Sequence, residues 1–257
     1  MPQFDLPVAE RRVPQPEHVE LLLEAPALAA TLTPGQFAHV WTPGTLRRPI
    51  SFSRTTPEGW VGLLFRVVGP GTAWLAERRA GDRLDVLAPL GHGFPDPEPG
   101  PVLLVGGGVG IPPLFAAAQR WGKTHPVSVI LGARSAGALV MADDFRALGL
   151  HPILTTDDGS VGERGRVSGP VAQWLARQAG GQVMACGPTP MLAAVAQLVG
   201  GGRPCWLAYE QRMGCGVGAC LACVVPGAGA DGRPEWIRVC HDGPVLSSQR
   251  LLWPQDA

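Results

Sequence analysis

Val102-Leu103-Leu104-Val105-Gly106-Gly107-Gly108-Val109-Gly110-Ile111-Pro112-Pro113-Leu114 is the stretch on which the fold turns. Four consecutive apolar residues read as a compact apolar strand. The glycine run is a turn, and residues 114–121 read as the helix that follows it. Beyond this point strands expected at 127–131, 152–155 and 182–186 alternate with helices expected at 145–150, 171–178 and 191–199, the rhythm of a doubly wound parallel sheet. A Gly-rich turn between a first strand and a helix lets a pyrophosphate approach the backbone and a helix N-terminus. A tight connection with no ligand would look the same. Met184-Ala185-Cys186-Gly187-Pro188-Thr189-Pro190-Met191 also closes a strand and opens a helix. Two such turns at the carboxyl ends of parallel strands face one crevice, where open α/β sheets bind ligands.

Upstream the rhythm is different. Strands expected at 18–24, 36–41, 60–68 and 82–88 are separated by Pro34-Gly35, Pro43-Gly44, Pro57-Glu58-Gly59 and Ala80-Gly81-Asp82. That spacing predicts a small antiparallel barrel, with one short helix over 72–79. Leu46-Arg47-Arg48-Pro49-Ile50-Ser51-Phe52-Ser53 reads as a segment between strands; an Arg and a hydroxyl there suit a phosphate, and a surface Arg explains it as well. Residues 95–100 form a Pro- and acid-rich hinge. The expected division is therefore 1–98, 99–202 and 203–257.

The last part carries Met213-Gly214-Cys215-Gly216-Val217-Gly218-Ala219-Cys220-Leu221-Ala222-Cys223, with Cys240 after a hairpin-like stretch. C-x₄-C-x₂-C followed by a distant Cys is the plant-type order of [2Fe–2S] ligands. Three thiolates from one loop must converge on two irons, and the interleaved glycines let the backbone wrap closely. The alternative, a structural zinc site, usually offers two C-x₂-C knuckles, whereas here only Cys220 and Cys223 have that spacing. Cys205 reads as a buried structural thiol, and Trp206 and Trp236 as a small local core.

The bulk numbers exclude several classes. The 257 residues are 46% hydrophobic, with 35 Gly and 27 Pro, which suits many short elements around a real core. Twenty-one basic and 21 acidic residues leave no net charge and no basic block, so no nucleic-acid footprint is expected. Apolar runs are broken before membrane-spanning length, and the first residues lack a signal-peptide pattern. Cysteines spaced for metal rather than disulfides fit a reducing, cytoplasmic setting.

From about Val13 to Leu246 the chain resembles the ferredoxin-reductase superfamily and, within it, the electron-transfer subunits of type B dihydroorotate dehydrogenase. The resemblance rests on an ordered set: Arg48-Pro49-Ile50-Ser51, Gly71-Thr72, Pro89-Leu90-Gly91-His92-Gly93-Phe94, Gly106-Gly107-Gly108-Val109-Gly110, Cys186-Gly187-Pro188 with Met191, the three-cysteine loop, and Arg238-Val239-Cys240-His241-Asp242-Gly243-Pro244-Val245. It implies an N-terminal FAD-binding barrel, an NAD domain and a C-terminal [2Fe–2S] module. It implies that Arg48, Pro49, Ile50 and Ser51 hold FAD, with Arg48 on its phosphates and Ser51 near the isoalloxazine. Leu64, Phe65 and Arg66 would contact the flavin, and Gly71 and Thr72 the pyrophosphate. Gly106, Gly107, Gly108 and Gly110, with Gly187, Pro188 and Met191, would flank NAD, and Cys186 would act beside the nicotinamide. Cys215, Cys220, Cys223 and Cys240 would ligate the cluster. Two positions depart from the pattern: Ile50 stands where the superfamily often has Tyr, and Leu246 where Phe is expected.

A chain with these three sites converts between one-electron and hydride chemistry, flavin being the converter. The resemblance implies electrons passing from an FMN-containing dihydroorotate dehydrogenase catalytic subunit through [2Fe–2S] and FAD to NAD⁺, in a heterotetramer of two of each chain. A (β/α)₈ barrel for dihydroorotate needs about 250 residues, and all of this chain is already assigned. The alternatives are an electron-transfer subunit of a hydrogenase or ferredoxin–NADP reductase complex, and a zinc-stapled binding module. A single Arg134 after the second strand of the sheet leaves NAD against NADP open.

Overall fold

The computed structural model describes residues 2–44, 46–229 and 232–253. Six strands close the N-terminal barrel: β1 (Gln3–Gln15), β2 (His18–Glu24), β3 (Phe37–Val40), β4 (Arg48–Thr55), β5 (Trp60–Arg66) and β6 (Arg83–Leu90), in the order β1-β2-β5-β4-β3-β6. Every barrel pairing is antiparallel. Two short helices, α1 (Pro26–Ala29) and α2 (Pro70–Ala76), connect strands. β6 buries every second residue, Leu84, Val86, Ala88 and Leu90; the first three enter the barrel core, and a register shift opposite β3 leaves Leu90 beside Phe37 instead.

Two barrel strands were not read from the pattern. β1 is largely polar and half-exposed. The segment expected between strands is itself β4: Ile50 and Phe52 point into the barrel core while Pro49 and Ser51 face out. Pro49 is tolerated because the register pairs β4 makes with β5 begin only at Phe52, so no ladder bond to β5 is lost there.

The second region is a seven-stranded sheet. Its strands are β7 (Val102–Gly107), β8 (Val127–Ala133), β9 (Ile153–Thr156), β10 (Glu163–Arg164), β11 (Gln182–Cys186), β12 (Cys205–Ala208) and β15 (Val245–Ser247). The order is β10-β9-β8-β7-β11-β12-β15, parallel except for β15. Helices α3 (Pro112–Trp121), α4 (Ala142–Ala147), α5 (Ser168–Arg177) and α6 (Thr189–Val199) cover it. Along β7, Val102 and Leu104 join one core and Leu103 and Val105 another, which is why the run is apolar without alternation. The sheet continues past residue 202, because β12 and β15 extend it. Cys205 is buried in it, as expected of a structural thiol.

The remaining residues form the hairpin β13 (Val224–Ala228) and β14 (Pro234–Arg238), then the single turn α7 (Val239–Asp242). One core holds the three regions together. Phe37 and Leu90 from the outer face of the barrel, Leu103, Val105 and Leu207 from the sheet, and Met213, Cys223, Ile237, Val239, Cys240 and Leu246 from the cysteine region share it. Leu246, at the position where Phe is expected, is 2% exposed in this core. Trp206 is partly buried against the other sheet face, whereas Trp236 is 71% exposed, so the local-core expectation fails for Trp236: its strand lies in a two-stranded ribbon with one face open.

A polar clamp also joins barrel and sheet region. Glu20 of β2, 2% exposed, accepts from Ser53 Oγ at 2.6 Å and Arg54 Nε at 2.8 Å. Arg54 Nη1 reaches Asp144 of α4 at 2.8 Å, and its guanidinium lies 4.9 Å from the Phe115 ring of α3.

Candidate functional site

The chain leaves β7 to build β8, β9 and β10 on one side, then returns with β11 on the other. The strand order therefore reverses between β7 and β11, and a crevice opens at their carboxyl ends. Cys186 is in register with Gly106, so the two Gly-containing turns expected to converge do so. A Cβ at Gly107 would meet Met191 Sδ at 2.5 Å and Pro188 Cδ at 3.0 Å, and one at Gly187 would meet Met191 Cε at 2.6 Å. A Cβ at Gly110 would come within 2.6 Å of the Cys186 carbonyl and the Gly187 nitrogen. Gly108 has open space. Only glycine lets the turns pack this closely, leaving bare backbone at the crevice. Cys186 is half-buried at its wall; burial, with the charge of Glu210, pushes its thiol up to about 12. It is a neutral S–H at physiological pH, not a nucleophile.

On the barrel, Arg48 and Gly71 meet across 23 residues of sequence: a Cβ at Gly71 would lie 2.8 Å from Arg48 Cζ and Nη2. The guanidinium thus lies over the first turn of α2, whose Gly71 and Thr72 amides have no partner within the helix. Thr72 Oγ1 is occupied: it accepts from Val68 N at 2.9 Å and Gly69 N at 3.1 Å and donates to the Gly69 carbonyl at 3.0 Å. It holds the turn, leaving the amides for a ligand. Ile50 is packed in the barrel core and offers a ligand its backbone alone. Of β5, Leu64 faces the sheet region, Phe65 the barrel core, and Arg66 solvent.

The third cluster is the cysteine loop. Val217 N and Ala219 N donate to Cys215 Sγ at 3.4 and 3.3 Å, Gly218 N to Cys240 Sγ at 3.1 Å, and Cys240 N to Cys223 Sγ at 3.4 Å. Gly216 and Gly218 have φ of +73° and +82°, which turns these amides inward at little strain. Burial works against a Cys215 thiolate, but the amides of Val217, Cys220 and Ala219 and the Cys220 thiol overcome it and hold Cys215 low; burial and the neighbouring Cys223 drive Cys240 the other way. Among the described residues no three His, Cys, Asp or Glu side chains close on one point as a single ion requires. The cysteines instead associate as Cys215 with Cys220 and Cys223 with Cys240. Four thiolates with several backbone donors on sulfur fit an iron–sulfur cluster.

These sites adjoin. On β3, Ala38 and Val40 point into the barrel, while Phe37 and His39 face out beneath the cysteine region. In register with those two on β4 stand Ser51 and Pro49, side by side on the same outer face. Sequence reading passed over His39. It is 1% exposed, and neither ring nitrogen makes a hydrogen bond of good geometry, although the Cys215 and Arg47 backbones lie within reach. Burial, with the charge of Arg47, pushes its imidazole down to about 4, against the opposing pull of the Cys215 and Arg47 backbones. A His in an Ala-His-Val strand was the available signal. The clamp of Glu20, Arg54 and Asp144 was also missed, since its members lie 34 and 90 residues apart.

Residues 210–252 match the iron-sulfur cluster binding domain of dihydroorotate dehydrogenase B, and residues 104–197 the oxidoreductase NAD-binding domain. The dihydroorotate dehydrogenase B (NAD(+)) electron transfer subunit of Geobacillus thermodenitrificans is 40% identical over 258 residues, covering 95% of this chain and 96% of that one. The corresponding subunit of Desulforamulus reducens is 35% identical, covering 97% and 98%. Among solved structures, one of the NADH-dependent reduced ferredoxin-NADP oxidoreductase superposes with a TM-score of 0.84 at 29% identity, over 96% of this chain and 90% of that one. The ferredoxin reductase in carbazole 1,9a-dioxygenase shares the fold, with a TM-score of 0.68 at 24% identity over 79% and 67%. Among the described residues no helix is long and apolar enough to cross a membrane.

Proposed function

The chain belongs to the family of dihydroorotate dehydrogenase B electron transfer subunits, and from that premise we propose how its residues divide the work. It is an oxidoreductase subunit that acts with the family's catalytic subunit in NAD-linked electron transfer. We place FAD on the outer face of the barrel, NAD in the crevice between β7 and β11, and a [2Fe–2S] cluster on Cys215, Cys220, Cys223 and Cys240. The units are 1–98, 99–202 and 203–257, the last lending β12 and β15 to the sheet. When bound, the groups supply one-electron exchange at the cluster, hydride acceptance at NAD⁺ and, at FAD, conversion between the two.

The chain's residues act by holding and shielding. The Arg48 guanidinium, with the Gly71 and Thr72 amides, neutralises a pyrophosphate. Ser51, whose hydroxyl has no partner among the described residues, offers a hydrogen bond to a flavin ring, and Pro49 and the Ile50 backbone line the same strand. Leu64, Phe65 and Arg66 border that site from β5. Gly106, Gly107, Gly108 and Gly110 present backbone to the NAD pyrophosphate; Gly187, Pro188 and Met191 close the opposite wall, where the Cys186 thiol excludes water without itself reacting. The amides of Val217, Gly218, Ala219 and Cys240 steady negative charge on cluster sulfur.

The observation that carries this reading is the outer face of β3 and β4. Ser51 and Pro49 stand in register with Phe37 and His39, and Phe37 packs in one core with Cys223 and Cys240. A flavin on β4 and a cluster in the loop are then a strand or two apart. Dihydroorotate oxidation falls to the FMN-bearing catalytic subunit, in a complex of two copies of each chain. A hydrogenase-linked or ferredoxin–NADP subunit would share the cofactor motifs; identity of 35–40% over nearly the whole chain favours the dihydroorotate family.

Anaerobic purification of the tagged chain with its companions tests the proposal. Two irons, two acid-labile sulfides and one FAD per chain, with an FMN-bearing barrel enzyme copurifying, are expected. A colourless chain holding one zinc and no flavin would overturn it.

A further inference from the structure

This inference rests on the reading above, with FAD on the β4 side of β3 and a [2Fe–2S] cluster on the other. Between them stands His39. Its ring nitrogens reach only toward the Cys215 and Arg47 backbones, without a hydrogen bond of good geometry; a buried polar group left poorly satisfied costs up to about 1–3 kcal/mol, and a Leu or Phe would fill the space without that cost. Packing alone therefore does not account for a histidine at this point. Its ring is pressed onto the cluster loop: a Cβ at Gly216 would lie 2.6 Å from His39 Nδ1, 3.1 Å from Cγ and 3.2 Å from Cε1. Its backbone is paired on one side with Pro49 of the flavin-side strand and on the other with Leu87. Arg47 pins that backbone, donating Nη1 to the His39 carbonyl at 3.2 Å and Nη2 to Asp85 Oδ2 at 2.8 Å.

We propose that His39 is the positioning residue of the flavin–cluster junction: it fixes the Cys215–Gly216 turn against β3 and supplies the one polar side-chain N–H on that face of the strand. Reduction adds one electron, and so one negative charge, to the cluster. An N–H dipole beside a ligating cysteine lowers the cost of that charge, while apolar surroundings raise it. His39 gains no electron and exchanges no proton; it biases where the electron rests.

The test is an EPR-monitored redox titration of the complete complex with its catalytic subunit, carrying wild-type, His39→Leu or His39→Gln chains. His39→Leu is expected to lower the reduced-to-oxidised ratio of the cluster at least tenfold at any fixed poise, a shift of about 59 mV for a one-electron couple, with FAD content unchanged. His39→Gln, which keeps an N–H, is expected to stay within about threefold of wild type. A His39→Leu ratio equal to wild type, or a His39→Gln shift as large as that of His39→Leu, overturns the proposal. Should His39→Leu fail to fold, wild-type complex carrying ¹⁵N-histidine decides. A weak histidine-nitrogen coupling to the reduced cluster, lost in His39→Gln, supports the proposal. No coupling overturns it, as does one persisting in the variant from His241, whose Cβ would lie 2.8 Å from a Cβ at Gly218. Wild-type complex without iron or FAD sinks the underlying reading first, before any variant is compared.

Discussion

Replacing Arg54 with Met should be among the most damaging single changes away from the cofactor sites. Arg54 is the hub of the clamp between barrel and sheet region, its side chain only 12% exposed. The substitution leaves the Glu20 carboxylate, 2% exposed, with Ser53 as its remaining donor. Removing one partner of a buried ion pair costs about 3–5 kcal/mol, a large share of the ~5–15 kcal/mol by which a domain is stable. With a urea slope of about 3 kcal/mol/M, the midpoint should fall by about 1–1.7 M. Glu20→Met with Arg54→Met removes both charges and leaves mainly the enclosed Ser53 hydroxyl unpaired, about 1–3 kcal/mol. The double variant should therefore be more stable than Arg54→Met alone. Asp144, about a third exposed, should cost about 1 kcal/mol or less as Asp144→Asn. Urea unfolding followed by tryptophan fluorescence measures all of these. If Arg54→Met costs under 1 kcal/mol, or the double variant loses the sum of the two singles, the clamp is not the coupled unit described.

Cys220→Ser should abolish the visible absorbance of the cluster, and normal iron content in that variant would show the ligand set to be misassigned. Gly110→Ala places a Cβ 2.6 Å from the Cys186 carbonyl, a backbone atom that cannot swing away; NAD affinity should fall at least tenfold with FAD retained, measured by equilibrium titration, and unchanged affinity would remove NAD from that crevice. Because its thiol is pushed up to about 12, Cys186 gains thiolate only as pH climbs toward that value. At pH 8 its alkylation should run on the order of a thousandfold slower than that of a free thiol with a pKa of about 8.5; peptide mapping after iodoacetamide checks this, and rapid labelling at pH 8 would contradict the burial.

Much of the site was legible because its chemistry is local. The C-x₄-C-x₂-C loop and the two Gly-containing turns each lie within a dozen residues, and their glycines stand where the backbone must bend or approach another segment. The alternation of strand and helix after residue 100 was legible too, since a buried parallel strand is apolar throughout and a helix repeats every 3.6 residues. β1 and β4 were not. One is polar and half-exposed, and the other opens with Arg-Pro, which reads as a break until the neighbouring strands are in place.

Residue order alone specified the local motifs: thiolates at ligand spacing, glycine turns at strand ends, an Arg ahead of a hydroxyl. It did so because each motif is a short-range requirement of bond geometry and charge. How these groups face one another came from the packing of distant segments. His39 meets Gly216 across 177 positions, Arg54 meets Asp144 across 90, and β12 and β15 cross the boundary near residue 202 to complete the sheet. Such contacts arise from burying the outer face of β3 and one face of the sheet in a common core with the cysteine region, and no local pattern encodes which apolar face will meet which.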